Sequence, residues 1–158
     1  MEGSHCCINI KLNKVCYAIR SIKPFLFVDI LRMIYFSYVM SYGIIFWGNS
    51  HPSNSILKIQ KRIIKIIRNT SNRDSCCQLF KLLQILSLPS QYIFSLLVFV
   101  NNNRGLFQCN SEIHDLNTRF NHNLHLLSTN LTSVQKGVMY SGSKIYNHLS
   151  SNILVEYS

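Results

Sequence analysis

The chain has 158 residues, and its 16 lysines and arginines outweigh 6 acids to leave a formal charge of +10. That balance favours nucleic acid or an anionic membrane surface as partner and says nothing about fold. At 47% hydrophobic residues the chain is too apolar to be disordered, and its length holds one domain with a real core, or a core plus a tail.

The cysteines, Cys6, Cys7, Cys16, Cys76, Cys77 and Cys109, fall as two adjacent pairs and two singles. They fit neither a secreted disulfide framework nor a zinc ribbon, since no C-x-x-C occurs, and are expected to be reduced intracellular thiols. The opening MEGSHCCINIKLNK lacks the basic start, apolar block and small-residue site of a signal peptide.

Ile8 to Ile22 reads as the first helix, with Ile8, Leu12, Val15, Cys16 and Ile19 at helical spacing and Lys11, Lys14 and Arg20 pointing elsewhere. Lys23-Pro24 interrupts it, because proline disfavours helix at the preceding residue. Pro24 then suits an early position of a second helix running to about Tyr42. That helix is apolar nearly all round, so it is expected to be central and most buried, its aromatics (Phe25, Phe27, Tyr35, Phe36, Tyr38) serving packing. Gly43 and Gly48 bracket a short apolar run containing Trp47, the single tryptophan, read as a core anchor with base stacking as the alternative.

The stretch Met40 to Thr70 organises the rest, because its second half is a helix with two opposed faces. At 100° per residue, Ile56, Leu57, Ile59, Ile63, Ile64, Ile66 and Ile67 fall within roughly half the circumference. Lys58, Lys61, Arg62, Lys65 and Arg68 fall within roughly 120° on the other side, with no acid between Lys58 and Arg68. Pro52-Ser53-Asn54-Ser55 supplies start signals, and Asn69, Ser71 and Asn72 offer a stop. The basic face is either a solvated surface or a phosphate-facing one.

Arg73 to Leu86 reads as a shorter helix with Cys76, Leu79, Phe80 and Leu83 inside and Asp74 near its start. Ser87-Leu88-Pro89 turns the chain into a strong helix, Ser90 to Asn102. From Leu106 to Ser133 the residues are rich in Asn, Ser, Thr and His, which predicts an extended, partly ordered arm rather than a second core. Val134 to Leu149 regains helical spacing, weakened by Gly137 and Gly142.

Two uncharged stretches, Met33 to Ser50 and Leu82 to Asn103, invite comparison with membrane spans. The first is barely long enough and the second is broken by Ser87-Leu88-Pro89-Ser90-Gln91, so both read better as core helices. Catalytic signals are sparse. The acids Glu2, Asp29, Asp74, Glu112, Asp115 and Glu156 form no D-x-D or D-D pair, which two-metal phosphoryl transfer would need in convergent form. His122 and His125 lack a second ligand pair, and no histidine adjoins Cys76-Cys77 to make a nucleophile. The sequons at Asn69 and Asn130 carry no meaning without secretion. No catalytic residue, metal site, cofactor or small-molecule substrate is therefore expected.

A set of short motifs resembles one family. LNKVCYAIRSIKPF at Leu12–Phe25, YVMSYGIIFWGNS at Tyr38–Ser50, LKIQKRIIKIIRN at Leu57–Asn69 and RDSCCQLFKLLQILSLPSQYIFSLLVFV at Arg73–Val100 are similar to the region after the polymerase palm in reverse transcriptases of jockey-like non-LTR retrotransposons. The likeness resumes with NSEIHDLNTRFNHNLHL at Asn110–Leu126 and QKGVMYSGSKIYNHLSSNI at Gln135–Ile153, so it spans nearly the whole chain in order. The family's catalytic Asp-Asp motif, its other palm aspartates, the fingers and the endonuclease are missing, so the resemblance implies descent from an RNA-directed DNA polymerase without its catalysis. It further implies a thumb that holds a template–primer duplex, a role that the cations of the basic helix would fit. The family arm motif Asn117-Thr118-Arg119 is intact.

The resulting expectation is a mainly α chain, with a compact core of about four to five helices over residues 1–105 and a loosely ordered Asn/Ser-rich arm with a short helix over 106–158. The expected function is a non-catalytic fragment or relic of a retrotransposon reverse transcriptase, intracellular, binding RNA or DNA backbone non-specifically through Lys58, Lys61, Arg62, Lys65 and Arg68. The alternatives are a small basic membrane-associated protein with apolar helices near 33–50 and 82–103, and an interaction module whose basic face is merely solvated.

Overall fold

The computed structural model describes the backbone of residues 2–40, 44–49, 53–71, 73–114 and 121–153, and the side chains of these except 2–9, 11, 12, 36–40 and 150–153. The chain is mainly helical, and among the described residues the sole β pairing is an isolated antiparallel bridge between Cys109 and Leu124. It divides into two compact units, Met1–Tyr92 and Ile93–Ser158, so the division falls after Tyr92 rather than after residue 105.

In the first unit, α1 (Glu2–Ile22) begins six residues ahead of the expected Ile8, since no proline holds its start back, and buries Val15, Cys16 and Ile19. Lys23–Phe25 forms a 3₁₀ turn with Pro24 in its first positions, and Leu26 is extended. Pro24 thus closes off α1 instead of opening the next helix. That helix, α2 (Val28–Met40), starts with Ile30 and Leu31 donating their N–H groups to the Phe27 carbonyl at 3.1 and 3.2 Å.

The expectation that α2 is the most buried helix is corrected. Among its described side chains only Leu31 and Tyr35 are buried, four apart on one stripe, while Met33 is 69% exposed. Just ahead of it Phe25 and Phe27 are 84% and 81% exposed, so they do not serve the packing expected of them. A helix apolar all round carries no facing information in its sequence. The neighbours decide which stripe is covered.

A short helix, α3 (Ile44–Trp47), buries Ile44 and Trp47, so the tryptophan is the core anchor. Gly48 follows, its N–H donating to the Ile44 carbonyl at 2.8 Å. A Cβ there would collide with the Tyr92 ring and lie 2.8 Å from the same carbonyl, so the glycine is required by close approach.

Among the described side chains the largest buried set on one helix belongs to α4 (Ser53–Arg68), which encloses Ile56, Ile59, Gln60, Ile63, Ile64 and Ile67. Each buried isoleucine stabilises by about 1.5–3 kcal/mol relative to exposure. Pro52 and Asn72, expected to help start and stop this helix, lie outside the described residues. Its end is a Schellman motif. Asn69 takes φ 57°, its N–H donates to the Ile66 carbonyl at 3.3 Å, and the Thr70 N–H donates to the Lys65 carbonyl at 3.2 Å.

The next helix, α5 (Cys76–Leu82), is half the expected length. Asp74 is not in its first turn: the carboxylate accepts from the Ser71 N–H at 2.8 Å and closes a turn. A second Schellman motif ends α5 early, with Gln84 at φ 51° and the Ile85 N–H donating to the Phe80 carbonyl at 3.0 Å. Leu83 and Ile85 are both buried beyond it. Then α6 (Leu88–Asn102) begins two residues before the expected Ser90 and buries Leu88, Gln91 and Tyr92 within the first unit.

Gln60 ties this unit together. Its Nε2 donates to the Leu86 carbonyl at 2.9 Å, and its Oε1 accepts from the Leu88 N–H at 2.9 Å. The buried Tyr35 hydroxyl of α2 lies close enough to feel the same side chain, and burial pushes its pKa well above the usual phenol range.

In the second unit the remainder of α6 buries Leu96 and Val100, which lie one turn apart. A 3₁₀ turn (Arg104–Leu106) and α7 (Asn110–Ile113) precede α8 (Thr132–Gln135) and α9 (Val138–Ile153). The arm does contain a small core, contrary to expectation: Val100, Phe107 and Leu124, with Phe99, Cys109 and Tyr146 against them. Leu124 is held there by Asn147, whose amide donates to its carbonyl and accepts from its N–H, both at 2.8 Å. Gly142 permits α9 to approach α6, since a Cβ would sit 2.9 Å from Val100 Cγ2.

Candidate nucleic-acid interface

The basic face of α4 is a consequence of its buried stripe. At 100° per residue the six buried side chains centre roughly opposite the five cations, so covering the isoleucines turns the cations outward. Lys58, Lys61, Arg62 and Arg68 are exposed and Lys65 is half-buried. No acid lies on the helix to offset them.

Packing adds what the sequence does not display. α1 runs beside α4 with both C-terminal ends together, and Lys23 Nζ donates to Asn69 Oδ1 at 3.1 Å across the junction. Between them lies a cleft of about 410 Å³ walled by Arg20, Lys23, Arg62, Lys65, Ile66, Asn69 and Thr70. Thr70 Oγ1 is enclosed there without a hydrogen-bond partner among the described residues.

Of the five expected site residues, Arg62 and Lys65 line this cleft, while Lys58, Lys61 and Arg68 remain on the α4 face outside it. Sequence reasoning missed Arg20 and Lys23. The available signal is weak: Arg20 lies in the last turn of α1, and Lys23 reads from the sequence only as part of a proline interruption. Each helix terminus contributes about half a negative charge from its free carbonyls. Two such ends offset about one of the four cleft cations, so the cleft stays electropositive.

Other candidates are dispersed. Among the described residues no three His, Cys, Asp or Glu side chains come together as a metal site would require. His125 lies beside His114, ring centroids 5.7 Å apart, rather than joining His122. Cys16 is buried, Cys76 and Cys109 half-buried and Cys77 exposed, all as free thiols. Glu112 closes a turn by accepting from the Cys109 N–H at 3.0 Å. Asp115 and the Asn117-Thr118-Arg119 motif lie outside the described residues. No helix among the described residues is long and apolar enough to cross a membrane. No family model matches the chain, and neither a curated protein nor a solved structure matches it.

Proposed function

We propose that the chain binds the sugar–phosphate backbone of RNA or DNA without reading sequence and without catalysis, as a fragment or relic of a non-LTR retrotransposon reverse transcriptase. The observation that carries this is the α4 face: Lys58, Lys61, Arg62, Lys65 and Arg68 stand opposite the buried stripe of Ile56, Ile59, Ile63, Ile64 and Ile67 with no acid among them. Such a face binds by releasing the counterions condensed on phosphates. The motif resemblance supplies the evolutionary half of the reading, and the scattered acids supply the non-catalytic half. An intracellular location goes with it, because free thiols persist in reducing compartments.

Neutralising about five phosphates gives a log–log salt slope on duplex DNA of about −4 to −5. Replacing Lys61, Lys65 and Arg68 together by glutamine weakens binding to all sequences alike and makes the slope shallower by about three units. The fold survives, since these side chains lie away from the buried stripe. A salt titration of both proteins on a labelled duplex, with circular dichroism as the folding control, makes the measurement. A folded triple variant that binds as tightly as the parent would reduce the face to solvated surface.

A further inference from the structure

Phe25 and Phe27 are the most exposed large hydrophobic side chains among the described residues, at 84% and 81%. Two aromatic rings left in water within three residues are costly, and a buried use for them would have been easy to find in so apolar a segment. They are placed by the break between α1 and α2: the 3₁₀ turn ends at Phe25, Leu26 is extended, and Phe27 caps α2 through its carbonyl.

The same break carries Lys23 into the basic cleft, where its ammonium is hydrogen-bonded to Asn69. Lys23 and Phe25 are two residues apart, so their Cα atoms lie within about 7 Å. The cation-lined cleft therefore has an exposed aromatic ring two residues along the chain from one of its walls, Lys23. Single-stranded nucleic acid alternates these two chemistries, phosphates and unpaired bases. In a duplex the bases are stacked within and offer no face to the rings. Lys23 and Lys65 are half-buried in the cleft, where a protruding phosphate reaches them better than a flat membrane surface does.

We propose that the cleft of Arg20, Lys23, Arg62 and Lys65, with the exposed rings of Phe25 and Phe27, is a single-strand site: a backbone phosphate enters the cleft and a neighbouring base stacks on Phe25. The proposal rests on the backbone-binding reading and sharpens it, from nucleic acid in general to an unpaired strand. It adds residues outside α4, and its test separates the two.

The probes are a fluorescein-labelled oligothymidylate, a blunt duplex of equal length, and vesicles of phosphatidylserine and phosphatidylcholine. The Phe25→Ala/Phe27→Ala variant should lose about tenfold affinity for the oligothymidylate, the lower range of base–aromatic stacking, and change duplex binding less than about twofold. Its melting temperature should match the parent's, because neither ring is packed. Arg20→Gln/Lys23→Gln should weaken strand binding and make its salt slope shallower by about 1.4 units. Phe25→Trp should retain binding and add an exposed fluorophore that the strand quenches, above the buried Trp47 background. Strand affinity unchanged in the phenylalanine variant, with duplex binding intact, overturns the stacking site and leaves the α4 reading standing. Loss of vesicle binding in that variant, without loss of strand binding, makes the rings a membrane contact and equally overturns it. A parent protein that binds neither nucleic acid removes the α4 reading as well.

Discussion

Gln60 is a polar side chain on the buried side of α4, and its amide is used at both ends. It donates to the Leu86 carbonyl and accepts from the Leu88 N–H, so it satisfies the start of α6 from a different helix. A leucine of similar size would fill the space but leave these groups without their partner. Each orphaned buried group costs about 1–3 kcal/mol. Gln60→Leu is therefore expected to lower unfolding free energy by about 2–4 kcal/mol, read from the midpoint of a urea titration. A loss below about 0.5 kcal/mol would mean that water replaces the amide at no cost.

At the scale of elements, the two Schellman endings set where α4 and α5 stop, yet only one has a residue suited to it. Asn69 tolerates a left-handed backbone because its short amide can bond locally. Gln84 at φ 51° has no such excuse, and its one described side-chain polar contact, with Arg32 Nη1 at 3.5 Å, is exposed and weak. The conformation persists because it delivers Ile85 into the core directly after Leu83. Gln84→Gly should remove the left-handed penalty and stabilise by about 1 kcal/mol, less the added entropy of the unfolded chain. A rise of about 1–4 °C in melting temperature is expected for a chain of this size. A fall would show that the side chain, and not the backbone strain, governs the site.

For the whole molecule, local stability should follow what each stretch of backbone is tied to. The expected arm is anchored at Phe107 and Leu124, the second held by the Asn147 amide and by the bridge to Cys109. Between Leu124 and α8 no helix forms, and Leu126, Leu127 and Leu131 are exposed. Limited proteolysis with a broad-specificity enzyme should therefore cut first within residues 126–131, leaving the Phe107 region intact. First cleavage in the connection between α4 and α5 would contradict that order. Residues 73–75 are exposed there, but the Asp74–Ser71 turn and the cap of α4 restrain the backbone.

The helical class, the isoleucine stripe of α4 and the opposed face of Lys58, Lys61, Arg62, Lys65 and Arg68 are legible in the amino acids alone. These follow from a repeat of 3.6 residues, which is written locally and needs no partner to be read. The sequence also places Trp47 in the core, because a lone tryptophan in an apolar run has few better uses. That Arg20 and Lys23 join Arg62 and Lys65 is a product of packing, since it depends on α1 lying beside α4 with their C-terminal ends together. Packing alone left Phe25 and Phe27 in water, against the local pattern, and gave Gln60, which the helical repeat puts among the isoleucines, its partners at Leu86 and Leu88. Burial is settled by which surfaces meet across tens of residues, and a pattern that repeats within one helix holds no record of its neighbours.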